Sequence, residues 1–345
     1  MIEIDQAAVD TVRAARQPSD LHSSLQTALL LEHYTIPLYL TALYSLVPGA
    51  NQDAASAITD IMREEMMHFA IVANVLNALG GHPLIDHKDA VPVYPGDLPM
   101  SIGGQRVELK QMSIDQCHVF MAIEEPDDPI ARRPHPDQAT IGDFYAAVID
   151  KIGELGADAF QSPSAPQVTT PFFPLLQPVT DAASAVRGLQ LIVEQGEGTG
   201  SSPLEGDGTG KLPHFYRFAE IAHGARLVAD PAAPGGFSYS GAPVSFDAAG
   251  VLPLAEPAAL ASLTDPSQAT ARQLATTFCV CYRQMLTALQ QAYSGQPGML
   301  GNAISLMRIK LKSAARSMLA TPDPNDPSRR LTPSWEYLPD PLPLS

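Results

Sequence analysis

Cysteine is scarce: the 345 residues hold three, Cys117, Cys279 and Cys281. Three thiols build neither a disulfide framework nor a four-thiolate zinc site, and Cys279 and Cys281 read most simply as core packing on a helix. Positive charge is short as well, with 21 Lys and Arg against 37 Asp and Glu and a net charge of −16. So acidic a surface repels phosphate backbones, which argues against a nucleic-acid partner. Charged residues make up 17% of the chain and hydrophobic ones 45%, a balance that excludes a disordered polymer. The start, MIEIDQAAVD, has no basic head and no apolar stretch, so no signal peptide is read there and a cytoplasmic location is expected. Long hydrophobic runs are also few. Residues 28–47, ALLLEHYTIPLYLTALYSLV, approach the length of a bilayer span. Glu32 and His33 within that run make a span costly, and no membrane partner is expected.

Proline, in contrast, is abundant, with 32 residues, about twice the usual share, which predicts long, stiff connections between helices. Helical periodicity covers 20–47, 52–80, 113–124, 140–159, 181–197, 212–227, 268–293 and 300–319. Between them, 80–112 reads as a loop with short strands around Val91–Tyr94, and the Pro-rich tail from Thr321 onwards is expected over the surface. The expected architecture is all-α. A helical bundle fills 1–228 with an insertion at 81–180, and 229–345 add a Pro/Gly-rich segment plus two helices that pack on the bundle.

Carboxylates stand where core residues belong. The first helix has an apolar stripe of Leu25, Leu29, Ile36, Tyr39 and Leu43, and the residue that completes its rhythm is Glu32. On the second, Ile58, Ile61, Val72, Val75 and Leu79 share their stripe with Glu65 and His68. Glu65-Met66-Met67-His68 is a Glu-x-x-His pattern, which sets a carboxylate beside an imidazole on one face. Glu32 and Glu65 lie at equal depth on either side of the turn at Val47-Pro48-Gly49-Ala50, so in a hairpin they meet. Facing buried carboxylates are heavily penalised unless a cation offsets them, and Glu with His is a natural donor set for a divalent metal. Pro37 interrupts the same helix five residues after Glu32 and is expected to kink it.

A four-helix metal site needs donors from two further helices. On 181–197 the candidates are Glu197, nearer the apolar arc, and Glu194. On 212–227 His214 lies at the arc's edge, while the second Glu-x-x-His, Glu220 to His223, points Glu220 away from it. Glu220 is left as an outer partner or a mate for Arg217. Glu124, beside Glu125 and Pro126 at a helix end, reads equally as ligand and as solvated acid. Tyr34, Tyr39, Met62, Met66 and Phe215 are candidates for a pocket wall, and loops 81–112 and 198–211 for a cover.

Glu32 followed by Glu65-x-x-His68 is similar to the ferritin-like carboxylate-metal proteins. More narrowly, LEHYTIPLYLTALYSL, IMREEMMHFAIVANVLNALGG, VEQGEGTG, PHFYRFAEI and PSWEY resemble the ferritin-like domain of the iminophenyl-pyruvate dimer synthase type, found in violacein and rebeccamycin pathway enzymes of secondary metabolism. The resemblance implies a ferritin-like four-helix bundle, with metal roles for Glu32, Glu65 and His68 and for Glu194 or Glu197 and His214. It implies a cofactor of one or two iron ions, with manganese accepted by the same donors. The expected function is a non-haem, di-iron oxidoreductase that uses O2 or peroxide on a small amino-acid- or imine-derived metabolite. A ferritin-like scaffold or partner-binding subunit without chemistry, and an iron storage or detoxification protein, are the alternatives. Homo-oligomer formation is left open.

Overall fold

The computed structural model describes residues 4–101, 106–125, 138–160, 165–196, 203–204 and 208–338. Its centre is a hairpin of two long helices, α2 (His22–Ser45) and α3 (Gln52–Ala78). Helix α2 is apolar on nearly every face, which marks a helix packed all round. Pro37 sits inside it without ending it. Before the hairpin lies α1 (Gln6–Ala14), capped by the Asp5 side chain accepting from the Ala7 amide. The periodicity argument missed this helix because nine residues with two buried positions, Val9 and Val12, give little pattern to detect.

The other half of the bundle is built from shorter pieces. Helix α4 (Ile114–Ile123) is capped by Ser113, and α5 (Ile141–Leu155) opens on a Thr140/Asp143 capping box. Helix α6 spans Ala182–Gly196, and α7 (His214–His223) stops at Gly224, whose positive φ of 71° suits glycine. Helix α4 packs on α7 and α5 on α6, while α3 touches both α6 and α7. The end of α4, at Glu124, and the start of α7, at His214, both fall beside the hairpin's buried acids.

Asn74 on α3 pins the segment after α5 by accepting from the Val168 amide at 2.9 Å and donating to its carbonyl at 2.8 Å. Asn51 holds the Pro/Gly-rich segment through the same two-way bond with the Asp247 backbone. Helices α8 (Ala269–Tyr293) and α9 (Met299–Ser305), a π-helical stretch (Leu306–Leu311) and α10 (Lys312–Leu319) complete the helical chain. Helix α10 packs on α2, and α8 on α3.

Two local expectations are corrected. The short strands are Gly96–Asp97 and Arg106–Val107, paired antiparallel, rather than 91–94. Val93 instead offers its carbonyl to the Tyr34 hydroxyl at 2.7 Å. The tail does not simply cover the surface: Leu331, Thr332 and Trp335 are buried. Trp335 meets Phe278 and Tyr282 edge-on and donates its indole N–H to Thr41 on α2 at 2.9 Å. Among the described residues, no helix is long and apolar enough to cross a membrane.

Candidate metal centre

Glu32 and Glu65 meet across the hairpin as their equal depth predicts, and His68 stands one turn beyond Glu65. Glu124 caps the end of α4, and His214 opens α7, so these two helix ends in the second half of the bundle deliver one donor each. Two groups result: Glu32, Glu65 and His68, then Glu65, Glu124 and His214, each with its donor atoms within 4.8 Å of one another. Glu65 belongs to both. All five side chains are buried.

The imidazoles are arranged alike. His68 Nδ1 lies 3.5 Å from Glu32 Oε2 and 3.6 Å from Glu65 Oε1. His214 Nδ1 lies 2.9 Å from the same Glu65 oxygen and 3.4 Å from Glu124 Oε2. The two rings stack at 5.5 Å. On its outer side His68 Nε2 bonds Gln195 Oε1 at 2.8 Å, and His214 Nε2 bonds Glu64 Oε2 at 3.2 Å. Each Nε2 therefore carries the proton it donates outward, and each Nδ1 turns towards the carboxylates. His214 Nδ1 makes no hydrogen bond despite its two near oxygens, because neither lies along a hydrogen-bonding direction. A buried donor atom in that position fits a point that all three groups face, which is what a metal ion supplies.

Each carboxylate is itself held. Tyr145 donates its hydroxyl to Glu32 and Tyr39 to Glu124, while Thr35 donates to Glu65 Oε2 at 2.7 Å. Glu64 accepts from Arg217 and from Lys211 Nζ at 3.0 Å. The electrostatics match this crowding. Burial, then the neighbouring Glu124 and Glu32 charges, raises the Glu65 pKa. Burial also opposes charge on Glu124, but His214 and the Tyr39 bond outweigh it and hold that carboxyl below the usual range. Burial disfavours protonated His214, yet Glu124, Glu64 and Glu65 together push its pKa well above that of a free imidazole. His68 is raised in the same way against its burial, by Glu32 and Glu65. The carboxylates thus favour the charged form of both imidazoles against the cost of their burial.

Not every candidate is brought in. Glu194 is half-buried and belongs to neither group, and its neighbour Gln195 faces His68 instead. Glu197 lies outside the described residues. Glu220 pairs with Arg226 rather than Arg217 and accepts from the Leu227 amide at 2.9 Å, while His223 stacks on Tyr239 at 4.1 Å. The second Glu-x-x-His is thus a structural element. Of the wall candidates Tyr39 reaches the centre, whereas Met66 lines a separate apolar pocket with Phe69 and Met285.

The Ferritin-like family matches residues 25–223, from α2 to the last residue of α7. The chain belongs to the Ferritin-like family. All five clustered donors fall inside the matched range of this ferritin-like protein. A crystal structure of a ferritin-like protein from Caulobacter vibrioides is similar at a TM-score of 0.61 and 22% identity, covering 92% of this chain and 97% of that one. Likeness at that identity speaks to the fold. No curated protein sequence matches the chain.

Proposed function

We propose that this ferritin-like protein is a two-metal oxidoreductase, with iron as the metal, O2 or peroxide as the oxidant, and a small amino-acid- or imine-derived metabolite as substrate. The observation that carries the reading is the sharing of buried Glu65 between two carboxylate/imidazole groups. Glu32, Glu65 and His68 would hold one ion; Glu65, Glu124 and His214 the other. Three carboxylates and two imidazoles suit iron and also accept manganese. Bound iron would supply the one-electron steps that oxygen or peroxide chemistry needs.

The chain's own part is orientation and exclusion of water. Gln195 and Glu64 fix the imidazole tautomers, and Tyr145, Tyr39 and Thr35 fix the carboxylates. Leu31, Ile123, Ile141 and Ile192 wall a cavity of about 50 Å³ beside the acids, room for O2 or a few waters. The imine-type substrate is supported by the quoted segments that resemble the dimer synthase domain. Anaerobic Fe(II) titration followed by O2 exposure tests the reading. Two ions per chain and O2 uptake that Glu65→Ala abolishes support it, whereas metal binding without any O2 or peroxide consumption contradicts it.

The close imidazole–carboxylate contacts of His68 and His214 would also serve a second reading, a scaffold in which these pairs alone satisfy the acids. That protein would bind no iron and would tolerate Glu65→Ala with unchanged or improved stability. A store would instead take up hundreds of ions per chain, a role the Pro-rich insertions disfavour because a cage requires a smooth outer surface.

A further inference from the structure

A further cavity lies away from the carboxylates. A half-open groove of about 880 Å³ lies where the α2–α3 turn meets the π-helical stretch and α10. It shares no residue with the carboxylate/imidazole groups. Its floor is apolar, formed by Leu40, Leu46, Met62, Met307 and Leu319, all buried, with Phe172 at one side.

Its rim is cationic. Among the described residues, Arg63, Arg308, Lys312, Arg316 and Arg330 line the groove, and no Asp or Glu does. In a chain with 37 acids and 21 bases, a rim with five bases and no acid runs against the whole surface. Arg63 contacts Asp60 loosely at 3.7 Å, both exposed. Arg308 lies over the Phe172 ring at 5.5 Å. Among the described residues, Arg308, Lys312, Arg316 and Arg330 form no ion pair with a carboxylate. Arg308, Lys312 and Arg316 follow one another every four residues across the π-helical stretch into α10. A π-helical interruption of an α-helix is itself a frequent mark of a functional position.

We propose that this groove binds a single-chain amphiphilic anion, with its apolar body on the floor and its carboxylate between the rim arginines. The volume is that of a site for a small organic ligand. An apolar bed without charge would suit any hydrocarbon, and a cationic patch without a bed would suit any anion; here the two coincide. Arginine offers a planar fork that grips a carboxylate with two parallel bonds, which gives the head a defined position. The site stands independently of the metal centre and of the reaction proposed there.

The test is calorimetric titration of the full chain, free of metal, with decanoate, and with decanol and acetate as tail-only and head-only controls. One decanoate per chain is expected, with decanol and acetate at least tenfold weaker. The double variant Lys312→Glu/Arg316→Glu, at exposed positions, should weaken decanoate at least tenfold. Leu43→Trp, which fills the groove from α2, should weaken it similarly, with Arg63→Glu on α3 replacing any variant whose circular dichroism is lost. Absence of saturable binding overturns the proposal. So does acetate as tight as decanoate, which leaves only a cationic patch, or decanol as tight, which leaves only an apolar cleft. Binding confined to anionic vesicles, with none to monomeric decanoate, also overturns it and assigns a membrane surface instead.

Discussion

Glu64→Gln separates the two halves of the centre, because Glu64 touches His214 and neither Glu32 nor His68. Its carboxylate accepts from His214 Nε2 at 3.2 Å and is held in turn by Arg217 and Lys211. Burial works against its charge, but His214 and Arg217 outweigh burial and hold its pKa far below the usual carboxylate value of 4.5. The variant keeps the volume and one acceptor but loses the charge that anchors the imidazole. Loss of such an outer partner costs about 10–100-fold in metal affinity, or about 1.4–2.7 kcal/mol. That loss should fall on one ion of two, the one at Glu65, Glu124 and His214. Metal-free protein should also lose stability. Breaking a buried pair costs about 3–5 kcal/mol, and the partly exposed Lys211 places this case near the lower end. A carboxyl with a depressed folded pKa stabilises above its unfolded pKa and loses that contribution as pH falls. The stability gap between wild type and variant is therefore full just above about pH 4.5, closes in more acid solution, and narrows again in alkaline solution where His214, whose raised pKa rests partly on Glu64, loses its proton. Anaerobic calorimetry with Fe(II) or Mn(II) resolves the two binding steps, and urea unfolding at several pH values follows the gap. Equal weakening of both steps, or no weakening of either in a folded variant, would refute the reasoning.

Gln195→Leu is the mirror experiment: it removes the acceptor of His68 Nε2 and should weaken the other ion, at Glu32, Glu65 and His68, by about 10–100-fold. The same calorimetry reads it, and a change in the His214 step alone would contradict the assignment. Trp335→Ala should cost about 3–5 kcal/mol in denaturant unfolding, since the ring is 1% exposed and wedged against Phe278 and Tyr282. A loss below about 1 kcal/mol, the level of an ordinary surface change, would return the tail to the surface. Burial lowers the His33 pKa to about 4, only partly countered by its bond to the Ala90 carbonyl. Below pH 6.5 the unfolded chain then takes up a proton that the folded chain refuses, so stability falls by about 1.4 kcal/mol per pH unit down to pH 4. Metal-free His33→Gln should show a correspondingly shallower acid limb, and parallel limbs would contradict the neutral, buried imidazole.

The hairpin half of the centre was legible because a charged residue in a 3-4 apolar rhythm is an anomaly that periodicity exposes. Glu32, Glu65 and His68 each stood in such a gap. His214 was legible for a related reason, at the edge of an apolar arc just after a loop. Glu124 lacked any such signal: it sits at a helix end beside Glu125 and Pro126, where acids are ordinary. Glu64 is hidden by its neighbour, since adjacent residues lie on different faces and nothing in the α3 pattern marks that face as covered; it is covered by α7. On α6 the residue that meets His68 is the neighbour of the candidate Glu194. Buried Leu189 and Ile192 lead on to Gln195, three residues after Ile192, and an uncharged amide attracts no attention beside Glu194. The all-α bundle followed from long periodic helices, whereas Trp335 was missed because an extended segment has no helical period to betray its burial.

The central claim is that two metal ions share Glu65. Metal content per chain, measured on protein made with iron and manganese both present and set beside Glu65→Ala, tests it most directly. The account predicts two ions in the wild type and loss of both in the variant, because Glu65 is the one donor common to both groups. Full metal content in a folded Glu65→Ala variant, or no metal in the wild type, would contradict it.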